Sequence, residues 1–155
     1  LLFFPQFLCL KFRELLLAKL SPSELTFGRY YVAAEQALLA VLDNLQSIST
    51  RLQSIKTIEV SYIEDRLRSL AKTGSKAQAD IDEVATLEKR LALRQDQLDK
   101  VNDILTYNER ALTELDQVNT AIAEMKVGKG QASVDLETAT RELEELAKRA
   151  QQFTP

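Results

Sequence analysis

"VATLEKRLALRQDQLDKVNDILTYNERALTELDQVNTAI", residues 84–122, keeps one rhythm for six heptads. One row reads Val84, Leu91, Leu98, Leu105, Leu112 and Asn119, and a second row, three residues on, reads Leu87, Arg94, Val101, Asn108, Leu115 and Ile122. Nine of these twelve positions are apolar, so the stretch is predicted to be one long helix with a seam along one side. A seven-residue apolar repeat sustained this far points to coiled-coil packing rather than to an ordinary globular helix. Arg94, Asn108 and Asn119 interrupt the seam. Polar residues there either fix the register of two helices at a cost in stability or mark places where the seam opens to water.

Outward from this stretch, glycine and proline mark the ends. They fall at 5, 22, 28, 74, 128, 130 and 155, so residues 29–73 and 75–127 hold neither. Both stretches read as helix. Upstream, Leu38, Leu45 and Leu52 form one seven-residue row and Val41, Ile48 and Ile55 another, with Ala33, Ala34, Ala37 and Ala40 permitting close helix approach. "KTIEVSYIE" disturbs that pattern with β-branched residues and an S-x-x-E box at Ser61 and Glu64, which predicts a break near 57–61. "SPSE" places Ser21 at an N-cap, Pro22 at the first helical position and Glu24 at the third, a strong start signal. The last helix, about 132–152, carries Leu136, Leu143 and Ala150 on one row and Ala139, Leu146 and Phe153 on the other. Its pairs Glu137/Arg141, Glu144/Lys148 and Glu145/Arg149 have i,i+4 spacing and read as a solvated face.

These elements predict an all-α fold: a long antiparallel helical hairpin or coiled coil, with a third, shorter helix packed at one end. Helices are expected at about 22–56, 61–73, 76–127 and 132–152, within a domain of residues 21–155 that follows an apolar, basic segment at 1–20. The composition agrees. Apolar residues make up 45 % of the 155 and charged residues 28 %, while Gly numbers 4 and Pro 3, a balance that favours packed helices.

Composition also narrows the chemistry. The chain has no His and one cysteine, Cys9, so the usual neutral-pH proton shuttle, a Cys–His pair and an intrachain disulfide are ruled out. Net charge is +2 over residues 1–31 and -5 over 32–155, and an acidic body is a poor binder of nucleic acid. "GKG" at Gly128–Gly130 with Ser133 is not a phosphate loop, because Lys129 is followed by glycine, no glycine lies five residues upstream, and a helix rather than a strand precedes it. It reads as a helix-ending glycine, a reversal and a cap for the next helix. Carboxylates are many but sit among Lys and Arg, and Arg29, Tyr30 and Tyr31 read as packing at a helix start.

"LLFFPQFLCLKFRELLLAKL", residues 1–20, carries the most functional content. Eight of its first ten residues are apolar, too few to span a bilayer that needs about 20. Its charges Lys11, Arg13, Glu14 and Lys19 point in different directions around a helix, so it is not a clean interfacial helix. It is expected either to pack against the bundle or a neighbouring subunit, or to meet lipid, through Phe3, Phe4, Phe7 and Phe12.

The expected function is non-enzymatic: a coiled-coil scaffold, spacer or filament subunit that self-associates or binds another protein's helix. Leu38, Leu45, Leu52, Leu91, Leu98, Leu105, Leu112 and Leu115 form its interaction seam. The alternative is a membrane-associated or membrane-remodelling coiled coil anchored through residues 1–20. Neither reading calls for a cofactor, a metal or nucleic acid. The expected partner is a second copy of the chain, another helix, or lipid at the N-terminal segment, and the expected site is cytoplasmic or peripheral at a membrane.

Overall fold

The computed structural model describes residues 3–21, 25–74, 77–124 and 134–150, with the side chains of 3–9, 134, 135, 139 and 150 excepted. Of the described residues 92 % are helical and none lies in a strand. The helices are α1 (Phe3–Leu17), α2 (Leu25–Ile55), α3 (Val60–Thr73), α4 (Gln78–Glu124) and α5 (Val134–Ala150). The fold is the all-α helical hairpin that the heptads predict. It divides into two compact units, one of residues 1–47 and 104–155, the other of residues 48–103. The "SPSE" cap, the "GKG" turn with Ser133, the contacts of Ala139 and Ala150, and Phe153 lie outside the described residues.

In the second unit, α2 ends at Ile55. The chain tightens there: Lys56 N–H bonds to Gln53 C=O at 3.3 Å and Ile58 N–H to Ile55 C=O at 3.0 Å, both to residues three back. Glu59 is extended (φ -75°, ψ 99°) and α3 begins at Val60. The expected Ser61 cap is therefore not used, because Ser61 already lies inside the helix, and Glu59 makes no side-chain capping bond. α3 stops at Gly74, which takes φ 60°, a left-handed conformation that costs glycine little, and its N–H bonds to Leu70 C=O at 3.3 Å. α4 then runs back antiparallel: Arg66 pairs with Glu83, and Arg51, further up the chain, reaches Gln97, further down it. Ile48, Ile55, Ile63, Leu87 and Val101 are the buried apolar residues of this unit.

The first unit is a bundle built on a larger core. Phe12, Leu16 and Leu20 come from α1 and its end; Phe27, Tyr30, Ala33, Ala34, Ala37 and Leu38 from α2; Leu115, Val118, Ala121 and Ile122 from α4; Leu136 and Leu143 from α5. The N-terminal helix thus enters the same core as the coiled-coil helices. The reason is a narrow stripe. Phe12, Leu16 and Leu20 recur every fourth residue, which places them on one face, and the scattered charges of α1 leave that face free. The alanines of α2 let its backbone approach closely, as their spacing predicted.

On both long helices, one row of the expected seam is the more deeply buried and the other is buried only in part. Ile48 and Ile55 are buried, as are Leu87, Val101, Asn108, Leu115 and Ile122. Their companions, however, are the residues three positions further on: Asn44 and the half-buried Arg51 on α2, and Ile104, Ala111 and Val118 on α4. Leu45, Leu52 and Leu105, placed in the seam by the heptad reading, are 40 %, 43 % and 43 % exposed.

Candidate functional site

The inner rows carry polar layers. In the first unit Asn44 and Asn108 are both buried, and Asn44 Nδ2 donates to Asn108 Oδ1 at 2.8 Å. Asn108 Nδ2 in turn donates to Val41 C=O at 3.4 Å. In the second unit Arg51 Nη1 donates to Gln97 Oε1 at 3.1 Å. The Asn44–Asn108 bond satisfies amide groups that would otherwise be costly to bury, whereas Arg51 Nε is buried without a hydrogen-bond partner. Asn108 is thus a sealed polar layer rather than an opening to water. Asn44, its partner, carries no signal in the sequence beyond lying three residues after Val41 and four before Ile48.

α5 is held against α2 by a charged clasp. Arg29 Nε donates to Glu144 Oε1 at 2.9 Å, Arg29 Nη1 pairs with Glu137 Oε1, and Tyr30 Oη donates to Glu137 Oε2 at 3.2 Å. Glu137 and Glu144, expected to serve Arg141 and Lys148 on a solvated face, are drawn across the interface instead, because Arg29 presents a planar fork that can serve two carboxylates. The two glutamates raise the already high Arg29 value further. Burial, then the Glu137 carboxylate, pushes the Tyr30 phenol up to about 12. Tyr30 is 1 % exposed and Phe27 stacks on Tyr31 with centroids 6.4 Å apart, so these aromatic residues pack the helix start, as expected.

Beside the clasp lies an open groove of about 650 Å³, lined by Leu25, Gly28, Val32 and Gln36 of α2 and by Glu144 and Lys148 of α5. Leu25 is 95 % exposed and Val32 46 %, and Leu39, one heptad on, is 55 % exposed. These three residues are spaced seven apart along α2, and Leu25 and Val32 lie within the groove.

Across α4 and α5, Glu114 Oε2 is buried without a hydrogen-bond partner. Burial, followed by the adjacent Glu142 carboxylate, raises the Glu114 value, and Arg110 opposes the rise. This is a like-charge pair in a helix contact. No group of carboxylates or other ligands among the described residues could hold a metal ion.

Of the expected seam, Leu38 and Leu115 lie in the core, Leu91, Leu98 and Leu112 are half-buried, and Leu45, Leu52 and Leu105 face outward. Phe12, expected against the bundle, a subunit or lipid, is 2 % exposed within the chain's own core; the side chains of Phe3, Phe4 and Phe7 lie outside the described residues. No described helix is long and apolar enough to cross a membrane. The chain matches no protein-family model, no curated protein and no solved structure.

Proposed function

We propose that the chain is a non-enzymatic assembly protein that works by pairing its exposed helical faces with a second copy or with a partner's helix. One observation carries this reading. Leu45, Leu52 and Leu105 remain 40–43 % exposed, while Asn44, Arg51, Gln97 and Asn108 occupy the inward rows. Fully burying a leucine contributes about 1.5–3 kcal/mol, so a helix pair folding for itself alone gains by the opposite arrangement. Leucines at seven-residue spacing on the outside are what a further helix recognises. The displaced ionisable groups also suit a scaffold. Arg29, Tyr30, Arg66 and Glu83 are all engaged in bonds between helices.

The test is the molecular mass in solution, by light scattering, of the natural chain and of a Leu45→Glu/Leu105→Glu variant. The natural chain is expected above its 17.5 kDa protomer mass, and the variant at that mass with unchanged helicity. An oligomer of unchanged size in the variant would remove these leucines from the contact.

A further inference from the structure

We infer that α5 is an acid-tightened latch: it closes on α4 when Glu114 holds a proton, and it alone of the first unit's helices loosens when Glu114 and Glu142 are both charged. This goes beyond the assembly reading and does not depend on it.

The weakness lies on one flank of one helix. α5 buries Leu136 and Leu143 in the core, and on the flank towards α2 Arg29 holds Glu137 and Glu144. The flank towards α4 has no such attraction. Glu114 Oε2 is buried there without a hydrogen-bond partner, and the group beside it is another carboxylate, Glu142. On α5 itself Thr140 is 1 % exposed, and its Oγ1 is also buried without a partner. The contact between α2 and α4 is built the other way, with its buried amides closed on each other and on Val41 C=O.

A buried oxygen without a donor is costly, and a like charge next to it adds to the cost. One proton removes both, because a protonated carboxyl donates to its neighbour and carries no charge. The charged groups that act on Glu114 are Glu142 from α5 and Arg110, four residues back on α4, which opposes it; no charged group of α1 or α2 bears on it. Burial and Glu142 outweigh Arg110 and raise the Glu114 value, so the α4 contact is complete below the ordinary 4.5 and weakens as pH rises through the folded value. The Arg29 clasp sits on the other flank and takes no part in this proton. Elements held by few satisfied contacts open before the whole fold does, which places the opening at α5.

The experiment is hydrogen exchange of the full chain followed by mass spectrometry, at pH 4.5 and at neutral pH, with rates corrected for the intrinsic effect of pH. The natural chain, Glu114→Gln and Glu142→Gln are compared, and circular dichroism confirms their helicity. In the natural chain the protection of α5 peptides is expected to fall several-fold from acid to neutral pH, while that of α2 and α4 peptides holds. In Glu114→Gln α5 should keep its acid-level protection at both, and Glu142→Gln should shrink the difference. The latch is overturned if α5 protection in the natural chain does not change with pH. It is equally overturned if Glu114→Gln keeps the natural difference, or if α2, α4 and α5 lose protection together, since the proton then acts on the whole fold. If a glutamine variant fails to fold, the comparison of helices within the natural chain still decides.

Discussion

Asn44 and Asn108, 64 residues apart in sequence, close a buried hydrogen bond of 2.8 Å between α2 and α4. The pair leads to a non-additive expectation. Asn44→Leu or Asn108→Leu alone leaves a buried amide unpaired and should cost about 1–3 kcal/mol. The double variant should recover most of that loss, because no polar group remains to desolvate. Urea unfolding followed by circular dichroism measures all three. Additive losses in the double variant would show that the two amides do not act as a pair.

Phe12 offers a test of where the N-terminal helix belongs. With its ring in the core, Phe12→Ala should cost about 3–5 kcal/mol in the absence of any lipid. A residue serving only as a membrane contact would leave stability in buffer unchanged, so a midpoint equal to that of the natural chain rules out the packing described here.

Tyr30 should make stability fall at high pH. Its value is raised from 10.0 to about 12, so the fold favours the protonated phenol. The resulting stabilisation is complete below the unfolded value and is lost as pH rises through the window from about 10 to about 12. Tyr30→Phe keeps the ring, loses the bond to Glu137 at a cost of about 0.5–1.5 kcal/mol, and should flatten this window. Ultraviolet absorbance at the phenolate band, recorded for both chains, provides the check.

Glu114 titrates with the same sign at lower pH. Its raised value means that the protonated carboxyl suits the α4–α5 contact, so its contribution is present below the ordinary 4.5 and fades as pH rises through the folded value. Glu114→Gln should therefore stabilise the fold at neutral pH and gain little near pH 4.5. A gain of equal size at both pH values would rule out the like-charge contact with Glu142.

The two described glycines should respond in opposite directions to alanine. Gly28 lies inside α2 with open space around it, so Gly28→Ala should stabilise the protomer by about 0.5–1 kcal/mol. Gly74 sits at φ 60°, where a side chain is strained, and Gly74→Ala should destabilise by about 1 kcal/mol. Thermal midpoints of the two variants that move the same way would contradict the helix end at Gly74.

Much of the architecture follows from the sequence by itself. Heptads and the absence of glycine or proline over 29–73 and 75–127 determine the long helices, because backbone propensity and apolar period are local properties. The turn at Gly74 and the break near 57–61 follow for the same reason. Only the tertiary structure decided which neighbours face inward. Each inward row of α4 is followed by two adjacent candidates, Ile104 or Leu105, Ala111 or Leu112, Val118 or Asn119, and a period near 3.6 accommodates either. In the first unit Val118 joins the core that α1 and α5 enter, and Ile104 and Ala111 are buried as well. The Asn44–Asn108 bond and the Arg29 clasp likewise join residues more than sixty positions apart, and no local pattern encodes such a distance. The leucines left outside are a consequence of that choice, and they carry the proposed function.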